Sequence, residues 1–288
     1  MKSLFELVIV LYKMTFSDSS TITSLNKLLA SNNFLEIRRV LIFDNSEQAS
    51  VPQGLDKRFC YYHSPKNIGL AQAYNYAADQ SAKESEWLLT LDQDTTLTRE
   101  YLEELITKAS NVPKSVAAIA PVIKDHEQQI SPVRSDTLRP LHKVLPQSNH
   151  SYSSDVMIIN SGTALRMSFL REIGGYNLVF PLDYLDHWMS WRILSEKRQI
   201  NILSSELNHR LSVLDYANSM NFSRYRAILQ AEKCYYSLYK TQLLARYRRQ
   251  LFLRGCKQFI TGKFNYGTIT FKFLFSGGNN GIKNTKAN

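Results

Sequence analysis

The chain has 288 residues, 44% of them apolar and 21% charged, which suits one large folded unit with an appendage and excludes a disordered chain. Its net charge of +10 and pI near 9.4 favour an anionic partner, whether phosphorylated ligand, membrane surface or nucleic acid. Three widely spaced cysteines, Cys60, Cys234 and Cys256, exclude a disulfide scaffold and a CxxC zinc or redox pair, and point to a reducing, intracellular setting.

Leu7 to Leu11 is a β-branched run that predicts a first buried strand. Glu6 interrupts the apolar stretch and no small-residue cleavage site follows, which argues against a signal peptide. Thr21 to Phe34 carries apolar residues at helical spacing after a Ser/Asp-rich turn. Arg39 to Phe43 predicts a second strand, ending on Asp44-Asn45-Ser46, and Phe59 to His63 a third. Gly69 to Lys83, rich in alanine, predicts a helix, and Trp87 to Leu91 a fourth strand. Such alternation implies an α/β fold with a mostly parallel central sheet and helices on its faces. In these sheets ligands sit outside the carboxyl ends of the strands, where this chain has Tyr12-Lys13, Asp44-Asn45, Asn67 and Asp92-Gln93-Asp94.

Val116 to Val122 predicts a further strand, and the polar stretch Lys124 to Ser154, with Pro132, Pro140 and Pro146, a long substrate-side loop. Val156 to Asn160 resumes strand character. Met167 to Ile173 predicts a short helix stopped by Gly174-Gly175, and Asp183 to Ser195 another. From Arg224 onward the chain is basic and aromatic, with Glu232 alone opposing the cations as far as Lys272. This pattern fits a helical extension on an anionic membrane surface or a solvated helical face. The expected division is a catalytic domain over 1–215 and this extension over 216–288. Eighteen uncharged apolar residues never occur together, so the expectation is a soluble or peripheral protein.

Asp92 and Asp94, one residue apart after a strand, are the oxygen donors that Mg²⁺ or Mn²⁺ prefers when it bridges a protein to a diphosphate. Taken alone the pair serves equally well to cap the next helix. Four segments in order supply the context: Val8 to Tyr12, Ile42 to Ser46, Asn67 to Asn75, and Leu89 to Thr95. Together they resemble the family 2 glycosyltransferases of the GT-A fold over residues 5 to 215. The likeness is to their rhamnosyltransferase-like branch, in which a DQD is followed by Thr and a later segment reads like Asn160-Ser161-Gly162-Thr163.

The resemblance implies roles residue by residue. Asp44 would meet the donor's pyrimidine ring and Tyr12 would line the base, while Asn67, Gly69 and Asn75 would pack beside the nucleotide, the glycine permitting close backbone approach. Asp92, with Gln93, would lie near the ribose and metal, and Asp94 would ligate the divalent cation. Asn160, Ser161 and Gly162 would face the sugar and acceptor. Asp186 matches the catalytic base of an inverting transfer, with Asp183 in support. His187 and Trp188 depart from the pattern and put acceptor specificity in question, the ring of Trp188 being either a sugar platform or core. His209 matches a late histidine that completes the metal or diphosphate site, and Arg210, Arg224 and Arg226 could hold phosphate oxygens. Lys13 stands where asparagine is usual.

The expectation is therefore an inverting, metal-dependent glycosyltransferase. It moves a sugar, rhamnose from dTDP-rhamnose by resemblance or else a UDP-sugar, to a hydroxyl of a lipid-linked surface glycan at the inner face of the bacterial cytoplasmic membrane. A nucleotidylyltransferase would need a glycine-rich loop after the first strand, where Met14 to Ser19 has none. A nucleic-acid-binding module would leave Asp92, Asp94 and Asp186 unexplained, so no nucleic-acid partner is expected.

Overall fold

The computed structural model describes residues 4–31, 34–208 and 221–275. They fall in two compact units, Met1–Ser212 and Val213–Asn288.

The first unit begins with β1 (Phe5–Leu11), α1 (Ser20–Ser31), β2 (Ile37–Asp44), β3 (Phe59–His63), α2 (Gly69–Asp79), β4 (Trp87–Leu91), α3 (Arg99–Asn111) and β5 (Val116–Asp125). It continues with β6 (Gln128–Ser131), β7 (Val133–Arg134), β8 (His150–Tyr152), β9 (Val156–Met157), β10 (Thr163–Arg166), α4 (Met167–Glu172), α5 (Leu185–Ser195) and β11 (Gln199–Asn208). The main sheet runs β3-β2-β1-β4-β10-β5-β11-β8, with β6 added to β5. Strands β3, β2, β1 and β4 run parallel to one another, as expected of alternating strands and helices. All seven residues of β1 are buried because strands flank it on both sides and α2 packs on it. The burial explains Glu6 as well. Its carboxylate, 3% exposed, accepts from Arg39 Nε at 2.7 Å and from Ser85 Oγ at 2.9 Å, so the acid that breaks the apolar pattern is paired inside the fold.

Three features differ from the sequence reading. The stretch after Lys124 is not a bare loop: β6 pairs antiparallel with β5, β7 with β9, and β8 closes the sheet edge against β11. Strands of two to four residues are too short to show a period. The strand expected over Val156–Asn160 is only two residues long, and the chain re-enters the sheet at β10, antiparallel between β4 and β5. Finally, β11 pairs parallel with β5 and buries Ile200, Ile202 and Leu203. Its polar second half hides that strand in the sequence.

Among its described residues the second unit has three α-helices, α6 (Phe222–Leu238), α7 (Leu244–Ile260) and α8 (Phe264–Phe275). Two glycines let α7 and α8 cross closely: a Cβ on Gly255 would lie 2.9 Å from the Phe271 ring, and one on Gly267 2.6 Å from the Phe259 ring. A polar cluster ties all three helices together. Gln258 Nε2 donates to Tyr225 Oη at 2.8 Å, Thr270 Oγ1 donates to Gln258 Oε1 at 2.7 Å, and the Tyr225 and Thr270 hydroxyls are 2.6 Å apart. Glu232, 6% exposed, is held by both terminal nitrogens of Arg254 at 3.0 Å.

Candidate active site

The parallel strands end on one edge, which carries Tyr12, Asp44 and the Asp92-Gln93-Asp94 turn. That turn is held almost wholly by hydroxyl groups. Thr21, fully buried, lies 2.6 Å from the Asp92 carbonyl and 2.8 Å from that of Thr95, and accepts from Thr95 N–H at 2.8 Å. Ser19 Oγ donates to the Gln93 carbonyl at 2.6 Å while accepting from Ile22 N–H at 3.2 Å, so one side chain caps α1 and fixes the acidic turn. On the other side Asp92 N–H donates to Ser161 Oγ at 3.0 Å, and Ser161 Oγ lies 2.7 Å from Thr95 Oγ1. Gln93 Oε1 accepts from Tyr12 N–H at 2.9 Å and locks the turn to the end of β1. With the backbone fixed, the half-buried carboxylates of Asp92 and Asp94 are presented at the sheet edge.

Asp186 reaches the same region from the first turn of α5. Its Oδ1 accepts from His187 N–H at 2.9 Å and lies 3.0 Å from His187 Nδ1. Burial raises its carboxyl, but the charge and hydrogen bonds of His187, with backbone N–H groups, outweigh burial and hold it below the ordinary carboxylate range. The His187 ring lies 4.3 Å from the Tyr184 ring, and Tyr184 starts the helix in the left-handed region at φ 66°. Tyr74, fully buried on α2, links the two acidic sites. Its hydroxyl is 3.5 Å from Asp92 Oδ1, and burial together with the charges of Asp92, Tyr176 and Asp186 pushes its ionisation far above the phenol range. The neutral phenol therefore meets Asp92 directly and feels the charge of Asp186, two acids from distant parts of the chain.

The family described as Glycosyl transferase family 2 matches residues 17–174, more than half of the chain. The protein belongs to that family. Its fold is GT-A. Among solved structures it resembles GalNAc-T7, crystallised with UDP, GalNAc and Mn²⁺, at TM-score 0.57 and 13% identity, over 83% of this chain and 49% of that one. It also resembles the mannosyltransferase PcManGT from Pyrobaculum calidifontis, in complex with GDP-Man and Mn²⁺, at TM-score 0.53 and 12% identity, over 80% of this chain and 63% of that one. The chain thus spans about half the length of the first and under two thirds of the second. No characterised protein matches it in sequence.

This member of the family uses several motif residues to hold its own backbone. Asn75 is clamped on the Tyr176 peptide, its Nδ2 donating to the carbonyl at 2.9 Å and its Oδ1 accepting from the N–H at 2.7 Å. Asn67 Oδ1 accepts from Gly69 N–H at 2.9 Å. The close approach at Gly69, φ +82°, is made by the backbone of Pro181, whose carbonyl would lie 2.5 Å from a Cβ there and accepts from Leu70 N–H at 2.7 Å. Through Asn75 and Gly69, α2 therefore fixes the segment that leads into Asp183 and Asp186.

Asp44 has no exposed surface; its oxygens accept from Ser46 N–H at 2.9 Å and from Tyr61 Oη at 2.7 Å. Burial, then the bond to Asp44, pushes the Tyr61 phenol up to about 12. Tyr12 is 42% exposed at the end of β1. Asn160 and Ser161 are buried, the Asn160 carbonyl accepting from Thr90 Oγ1 at 2.7 Å, and the Gly162 carbonyl accepts from Tyr101 Oη at 2.7 Å. Of the two readings left open for Trp188, its burial fits the core: it is 6% exposed and lies among the buried residues of α5. Asp183 and His187 are half-buried beside Asp186. His209 and Arg210 lie outside the described residues.

Ser19, Thr21, Tyr61 and Tyr74 escaped the sequence reading. Ser19 and Thr21 had shown only as a polar helix start, and Tyr74 stood inside a recognised motif without a role. The exposed Lys13 gains an explanation. It sits at φ 53°, the left-handed region that asparagine tolerates better than lysine, and its N–H donates to Ser46 Oγ at 2.9 Å.

Proposed function

We propose that the protein catalyses an inverting glycosyl transfer with Asp186 as general base and the Asp92–Asp94 turn on the donor diphosphate. The observation that carries this reading is the buried Tyr74 hydroxyl, on which the charges of both Asp92 and Asp186 bear. An acceptor hydroxyl oxygen attacks the anomeric carbon as the bond from that carbon to the diphosphate breaks. Its proton passes to the Asp186 carboxylate, and the nucleoside diphosphate leaves. His187 keeps Asp186 ionised at neutral pH, ready to accept that proton.

A divalent cation suits the acidic turn by donor chemistry, since two carboxylates one residue apart offer the hard oxygen ligands that Mg²⁺ or Mn²⁺ takes. Among the described residues no group of three or more acids, histidines or cysteines is gathered for a metal, so Asp94 and Asp92 would share it with phosphate oxygens and water. When bound it would offset charge on the leaving diphosphate. Asp44, closed in by Tyr61 and Ser46, acts by setting the Asn45–Ser46 turn beside Tyr12, where the base would stack.

The donor we favour is dTDP-rhamnose, on the DQD-Thr and Asn-Ser-Gly-Thr motifs, and the acceptor a lipid-linked surface glycan at the inner face of the cytoplasmic membrane. The test is a thermal-shift panel of dTDP, UDP, GDP and their sugars with and without Mn²⁺, followed by a transfer assay with the best donor. A metal-dependent rise with dTDP-rhamnose supports the reading. Preference for a UDP- or GDP-sugar keeps the mechanism and replaces the donor, and no rise with any of them overturns donor binding.

A further inference from the structure

The net charge of the protein is concentrated in one place. Residues 221–275 hold eleven lysines and arginines against the single acid Glu232, whereas residues 1–220 hold 22 against 24 acids. Glu232 is already committed to Arg254 inside the unit. The same unit exposes bulky apolar side chains, most of all at the turn between α7 and α8. There Ile260 is 86% and Phe264 60% exposed, with Phe252 at 45% and Leu253 at 51% further up α7. Lys257 and Lys263 flank the turn and are exposed too. Along α7 the exposed residues Arg246, Arg249, Leu253, Lys257 and Ile260 follow at steps of three and four, so one stripe carries both cations and large aliphatics. No helix among the described residues is long and apolar enough to cross a membrane.

We infer that the α7–α8 turn docks the protein on an anionic bilayer, Ile260 and Phe264 entering the headgroup–acyl boundary while Lys257, Lys263 and the α7 arginines bind lipid phosphates. Charge complementarity selects the surface, and the apolar pair selects a bilayer over nucleic acid: a polyanion satisfies the cations but offers nothing to an aliphatic side chain in water. The helix pair beneath is rigid enough to hold the wedge, because the Gly255–Phe271 and Gly267–Phe259 contacts close the crossing. This inference is independent of the donor and acceptor proposed above, since vesicle binding is read without either.

The experiment is sedimentation of the full chain with vesicles of phosphatidylcholine alone, and of phosphatidylcholine and phosphatidylglycerol in equal parts, over a salt series. Binding is expected only to the anionic vesicles and to weaken as salt rises. The double variant Ile260→Ser, Phe264→Ser and the double variant Lys257→Glu, Lys263→Glu should each lose about tenfold or more in affinity. The unit-1 control Lys27→Glu should lose little. Ile260→Trp should show a blue-shifted emission with anionic vesicles, a readout that does not depend on the other variants remaining folded. Equal binding to both vesicles, loss in Lys27→Glu matching that of the turn variants, an unshifted Ile260→Trp, or binding to duplex DNA in place of vesicles would each overturn the inference.

Discussion

The two units solve different electrostatic problems. The sheet unit carries nearly balanced charge and frames its acidic turn with uncharged partners: hydroxyls at Ser19, Thr21 and Ser161, and a neutral phenol at Tyr74 beside Asp92. The helical unit carries the excess of positive charge and neutralises only Glu232 inside. The proposed diphosphate and cation would need carboxylates not already paired with arginines, whereas the proposed lipid-docking surface gains from unbalanced cations. The lesson is that chemistry and location are separable here, so changes in one unit should leave the other's readout untouched.

The largest effect should come from Asp186→Asn, which removes the proposed base while keeping its shape. Turnover should fall about thousandfold with donor-induced thermal shift retained, and unchanged turnover would remove Asp186 from that role. Glu232→Ala strands the Arg254 charge in the helical unit and should cost on the order of 3 kcal/mol in that unit's unfolding, with turnover on a soluble acceptor preserved. Denaturant melts read beside kinetics would show whether the units are as separable as supposed. Thr21→Val removes the hydroxyl that accepts from the Thr95 N–H and should cost roughly 2 kcal/mol, here together with a loss of turnover because the acidic turn loosens. A stability loss with unaltered kinetics would show that the turn does not need its hydroxyl frame.

His187→Ala should act through pH. The folded value of Asp186 lies below its ordinary one, so the ionised base, and the stability it lends, persist above the ordinary carboxylate range and are lost as pH falls through the lowered value. Without His187 the raising effect of burial remains, and the acidic limb of the pH–rate profile should move to higher pH. A limb that stays in place would assign the lowering to the backbone N–H groups instead. The smallest effect is Lys13→Asn, which relieves a left-handed lysine and should raise stability by up to about 1 kcal/mol while leaving vesicle binding as it was.

Legibility differed by region for physical reasons. The four parallel strands and α2 were plain because a buried strand must be a continuous apolar run and an amphipathic helix must repeat its apolar positions. Asp92, Asp94 and Asp186 stood out only through the family resemblance of the motifs around them, because acids at a strand end or a helix start serve as readily to cap a helix. The ribbons after Lys124 and the antiparallel strand β10 were hidden, since two to four residues carry no period and nothing local states which neighbour a strand will take. Trp188 was ambiguous for the same reason: its neighbours in sequence do not say which face of α5 turns inward.

What the sequence by itself determined was the alternation of strands and helices, the edge on which the acids lie, and the concentration of positive charge after residue 220, because these follow from composition and spacing along the chain. The tertiary structure alone decided that Ser19, Thr21 and Ser161 hold the acidic turn and that the Tyr74 hydroxyl meets Asp92. It also decided that Asn75 and Gly69 grip the segment leading to the base. Each of these depends on groups distant in sequence meeting at hydrogen-bonding range, which only the packing of α1, α2 and β10 around one sheet edge can bring about.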